Sequence, residues 1–81
     1  MEEIKKPEYY LFNINGKEFD VNDLLTSLSD KLKDKCDHIQ FNYLSNSIEY
    51  ILRSFSKGQT KKDIEKAINN LNFLLKTLKS N

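Results

Sequence analysis

The reactive side chains of this sequence are few, and they gather at Cys36-Asp37-His38, where the only cysteine and the only histidine flank a carboxylate. A thiol beside an imidazole is how a cysteine nucleophile is activated, and Cys, His and Asp are all ligands a transition metal accepts. Adjacent residues rarely point at one ion, however, and no further ligand stands at a usable spacing. A helix-end histidine and a half-buried cysteine account for the run better. Glu18, Asp20, Asp23, Asp30, Asp34 and Asp37 form a second set, with the chemistry of a cation site or an acid/base pair. They lack the spacing and the glycine of a calcium loop, and solvated helix faces with lysine neighbours explain them. The expectation is a protein that is not an enzyme and uses no metal or cofactor.

Two other sets suit binding. Arg53, Lys57, Lys61, Lys62 and Lys66 lie around the turn expected between the last two helices, where they would meet phosphate or nucleic acid. A dedicated nucleic-acid binder is more basic than a chain of net charge +1, so this is the alternative reading. The favoured set is Ile39, Tyr43, Tyr50 and Phe73, an apolar surplus lying opposite the main helix stripes. A chain this short gains most by covering such residues with a protein partner, above all a second copy of itself.

The elements that must carry these residues follow from periodicity. In the stretch 41–55, Phe41, Leu44, Ile48, Ile51, Leu52 and Phe55 recur at steps of three and four, the mark of an amphipathic helix facing a core. Ahead of it, residues 1–7 read as a charged arm ending at Pro7. Residues 8–21 alternate around Asn15-Gly16, a pair that tolerates positive φ and so predicts a β-hairpin with a two-residue turn. Tyr10, Phe12 and Ile14 share one face of that hairpin. Asp20 or Asn22 would cap a helix over 22–35 that carries Leu24, Leu25, Leu28 and Leu32.

A second helix over 39–56 starts through a weak Asp37–Gln40 capping box, with one long helix over 22–56 as the competing reading. Gly58 would end it, and Thr60, assisted by Asp63, would cap a last helix over 61–79. Ile64, Ala67, Ile68, Leu71, Leu74, Leu75 and Leu78 give that helix an unbroken stripe. The predicted class is therefore a single, mostly helical α+β domain: an N-terminal hairpin, then two or three helices ending in an antiparallel αα-hairpin.

Residues 1–40 hold six lysines against nine acidic residues, and residues 41–81 hold seven basic against three acidic, so the halves carry −3 and +4. That asymmetry favours docking of the front on the back, within or between chains, although a solvated surface is the simpler explanation. A lone cysteine makes no internal disulfide, the first residues lack a signal-peptide apolar run, and no segment is apolar for the length a membrane span needs. A soluble cytoplasmic protein without membrane contact is expected.

The run Asn13-Ile14-Asn15-Gly16-Lys17-Glu18-Phe19-Asp20-Val21-Asn22-Asp23-Leu24, with Leu28-Ser29-Asp30 and Ile39-Gln40-Phe41 after it, resembles a family of short uncharacterised proteins of marine cyanobacteria and their phages. Those proteins carry an "I-x-G-K-E-Y-D" phrase, a short helix opening with Leu-Ser and helices that begin with a Leu-Gln-Phe-like phrase. The resemblance covers about half the chain. It implies a hairpin followed by helices and a phage or cyanobacterial setting, and brings no activity with it.

Overall fold

The computed structural model describes residues 11–56 and 58–78. The elements run β1 (Leu11–Ile14), β2 (Lys17–Asp20), α1 (Val21–Leu32), α2 (His38–Arg53) and α3 (Thr60–Thr77), a mostly helical α+β fold with an N-terminal hairpin. The expected arm over 1–7, the expected strand residues 8–10, Lys57 and residues 79–81 lie outside the described residues.

The hairpin turns as its sequence predicts. Asn15 and Gly16 take φ of 52° and 80°, the two left-handed residues of a type I′ turn. The Gly16 N–H donates to Asn13 Oδ1 at 3.0 Å. In this register Phe12 pairs with Phe19, and their rings stack with centroids 6.4 Å apart. Phe19 thus joins the face of Phe12 and Ile14.

Reciprocal caps start the next two helices. The Asp23 N–H donates to Asp20 Oδ1 at 2.8 Å while the Asp20 N–H donates to Asp23 Oδ2 at 3.0 Å. Asp37 and Gln40 make the same exchange at 2.8 and 3.0 Å, satisfying donors that a helix start leaves orphaned. The second box separates α1 from α2, so the alternative of one helix over 22–56 does not hold. Between them, the Lys35 and Cys36 N–H groups both donate to Leu32 O, at 2.9 and 3.1 Å.

The last two helices differ from expectation at their shared turn. Helix α2 stops at Arg53 and not at Ser56, because Ser54 turns both its hydroxyl (2.8 Å) and its N–H (3.3 Å) onto Ile51 O. Gly58 then takes φ of 71°. Thr60 is the first helical residue of α3 rather than its cap, Gln59 holds the cap position without a side-chain bond, and Asp63 is diverted elsewhere. The predicted Thr60–Asp63 cap is absent because the Asp63 carboxylate has a stronger partner in Arg53.

Helices α2 and α3 pack antiparallel, fastened by polar contacts along their length. Gln40 Nε2 donates to Thr77 Oγ1 at 3.0 Å at one end. At the other, Arg53 Nε and Nη2 donate to Asp63 Oδ1 at 3.2 and 3.1 Å. Midway, the Ser47 hydroxyl lies 2.9 Å from Tyr43 O and 3.3 Å from Ala67 O, so its proton serves a carbonyl of each helix. Ser47, Ser54, Asp63 and Ala67 are buried on this seam.

That seam corrects the expected core. Phe41, Leu44, Ile48, Ile51, Leu52 and Phe55 were expected to face it, yet Phe55 is 85% exposed and Ile51 49%. Small side chains at Ser47, Ser54 and Ala67 let the two backbones approach, and packing then follows that line rather than the greasiest one. Among the described residues only Val21 and Ala67 are buried hydrophobics.

Candidate functional site

The seam runs through Tyr43, Ser47 and Tyr50 on α2 and Ser54 just past its end, and through Asp63, Ala67, Asn70, Leu74 and Thr77 on α3, at steps of four and three. Moving every one of these positions on by one residue gives the apolar stripes: Leu44, Ile48, Ile51 and Phe55, and Ile64, Ile68, Leu71, Leu75 and Leu78. One residue is a rotation of about 100°. In an antiparallel pair, equal rotations in the same sense carry both stripes to the same side. The αα-hairpin therefore has one broad apolar face.

The opposite side, one residue back, carries Asn42, Asn46, Glu49 and Arg53 against Lys62, Lys66, Asn69, Phe73 and Lys76. It is polar except for Phe73. Helix α1 covers only the beginning of the apolar face, where Leu25, Ser29, Leu32 and Cys36 share grooves with Phe41. The rest is open: Ile51, Leu52, Phe55, Ile68, Leu71, Leu75 and Leu78 are between 36% and 85% exposed.

The four residues singled out as an interface sit largely on and behind the seam. The Tyr43 and Phe73 rings stack across the two helices with centroids 5.5 Å apart. Tyr43 is half-buried and Phe73 is 47% exposed beneath Lys76, whose Nζ lies 5.6 Å from the ring centroid. Tyr50 is half-buried between two cations, Arg53 Cζ at 4.6 Å and Lys66 Nζ at 5.5 Å from its ring centroid. Ile39 is exposed in the first turn of α2. Ile39, Tyr43 and Phe73 thus form a small apolar patch, while Tyr50 is occupied.

The basic residues divide in a similar way. Arg53 is held by Asp63 and Tyr50. Lys61 and Lys62 are exposed on the first turn of α3 but point about 100° apart, and Lys66 leans on Tyr50. Glu65 lines the same groove as Lys62 and Lys66. Lys57 lies outside the described residues.

Asp63 is the residue of most chemical interest that the sequence did not announce. Its side chain is 1% exposed, Oδ1 takes both Arg53 bonds, and Oδ2 has no hydrogen-bond partner among the described residues. The available signals were Ser47 and Ser54 seven residues apart and Ala67 within a leucine-rich helix, small residues at a packing period. Elsewhere, the Cys36 thiol donates to Leu32 O at 3.7 Å, and His38 is an exposed first residue of α2. Among the described residues no group of three or more His, Cys, Asp or Glu is placed to hold a metal ion. No helix among them is long and apolar enough to cross a membrane.

Compared with known proteins, the chain matches no family model, no curated protein and no solved structure.

Proposed function

We propose that this chain is a small non-enzymatic interaction module, cytoplasmic, that works by contact and self-associates. The observation that carries the reading is the open apolar face of α2 and α3, set against a core with two buried hydrophobic residues among those described. A domain of this size buries too little on its own to be comfortably stable, and covering apolar side chains is the largest gain left to it. Light scattering across a concentration series, at low and moderate salt, tests the reading. A dimer mass that moderate salt does not reduce is expected, since apolar contacts are not screened. A folded monomer at every concentration would overturn it.

The exposure of Lys61 and Lys62 at the start of α3 supports a second reading, a module that engages phosphate or nucleic acid through this turn. It predicts binding to a single-stranded oligonucleotide that weakens steeply with salt and disappears when Lys61, Lys62 and Lys66 become Glu. Absent or salt-insensitive binding discards it.

A further inference from the structure

We infer that the broad face of α2 and α3 is the site of self-association, and that its occupant is the same face of a second copy, giving a four-helix bundle. The inference rests on the self-association just proposed and names the surface that carries it.

The spacing of the open stripe is the first support. Ile64, Ile68, Leu71, Leu75 and Leu78 recur at steps of four, three, four and three, and Leu44, Ile48 and Ile51 keep the same alternation, with Phe55 four residues further on in the turn. This is the period at which helices pack side by side at a shallow angle, and bundles are built from such seams. The chain's own seam uses the same period one residue away, and its buried members, Ser47, Ser54, Asp63 and Ala67, are small or polar. A surface with helical period calls for a helical partner.

Length and charge point to a second copy as that partner. Helices α2 and α3 span 16 and 18 residues, so two hairpins laid face to face match from end to end. Among the described residues the stripes themselves hold no charged residue, and the charges at their rim, Lys61, Glu65 and Lys76, are of both signs. A twofold contact sets each residue against its own face, so any charge there would meet its like; an uncharged face is self-compatible.

Area agrees. Taking about 200 Å² for each fully exposed large side chain, the exposed fractions on this face amount to about 700 Å², close to the roughly 800 Å² per partner of a specific interface. The patch at Ile39, Tyr43 and Phe73 is smaller, and Tyr43 and Phe73 already cover part of each other.

The experiment compares three full-length proteins by sedimentation and light scattering, with helicity followed by circular dichroism. Phe55→Asp/Leu75→Asp places a carboxylate near each end of the proposed contact. Ile39→Asp places one on the opposite patch, in the first turn of α2, where a carboxylate suits the helix end. The expected result is a dimeric parent, a dimeric Ile39→Asp, and a dissociation constant raised at least about a hundredfold in the double variant. A double variant that dimerises like the parent, or an Ile39→Asp protein that falls apart, overturns the assignment of the face while self-association stands. A monomeric parent overturns both.

Should the double variant unfold, a spin label decides. Asn72→Cys in a Cys36→Ser background carries the label at the edge of the face, mixed with isotope-labelled parent chain. Broadening between chains at Ile51, Leu52 and Leu75 is expected. Broadening confined to Ile39 and Lys62, or none between chains, overturns the proposal.

Discussion

The Arg53–Asp63 pair is where single residues matter most. Two nitrogens of one guanidinium reach one oxygen of a carboxylate that is 1% exposed, and the other oxygen is unpartnered among the described residues. Taking a charge out of water is costly, so truncating one member of such a pair costs more than the pair contributes. Arg53→Ala is expected to lower stability by about 3 kcal/mol. Net stability in a domain this small is of the same order, so loss of helical circular dichroism at 25 °C reads the effect directly. A change below about 0.5 kcal/mol, the size of an ordinary surface substitution, would mean that Asp63 is hydrated in solution.

At the scale of elements, the caps of the first two helices and the turns were legible from the chain alone, and the cap of the last helix and the seam were not. Asn15-Gly16, the Asp37–Gln40 box and Gly58 each declare themselves through local backbone chemistry, which needs no knowledge of tertiary neighbours. Which side of α2 meets α3 depends on how closely two backbones can approach. There Ser47, Ser54 and Ala67 prevailed over a stripe that periodicity rightly found and wrongly sent inward. Asp63 was misread for the same reason: three residues after Thr60 it has the position of a capping partner, and only the fold brings Arg53 to it. Of the candidate site residues, Tyr43 and Phe73 do come together, whereas Arg53, Lys62 and Lys66 share a face that Lys61 leaves. Gly58 gives the element-level prediction. A Cβ there would meet nothing within 4 Å, but its φ of 71° is one that L side chains adopt at a cost. Gly58→Ala should destabilise by about 1–2 kcal/mol, measured by urea unfolding with the slope unchanged. No loss would show that this turn relaxes freely.

As a whole molecule, the chain keeps few apolar side chains inside: among the described residues only Val21 and Ala67 are buried hydrophobics. Because seam and stripe are one residue apart, turning each helix by about 100° would close the two stripes on one another inside a single chain. That arrangement would make the greasier monomer. Reaching it would separate Arg53 from Asp63 and deprive the Ser47 proton of its second carbonyl. The pair thus acts as a bolt on the outward-facing arrangement, choosing between two ways of closing the same hairpin rather than simply adding strength to one. Arg53→Leu/Asp63→Leu draws that bolt. A helical protein that scatters light as a monomer where the parent does not is the expected result, and unchanged mass would show that the seam holds without the pair. A polar contact so placed keeps the apolar stripes of both helices on the outside of the hairpin.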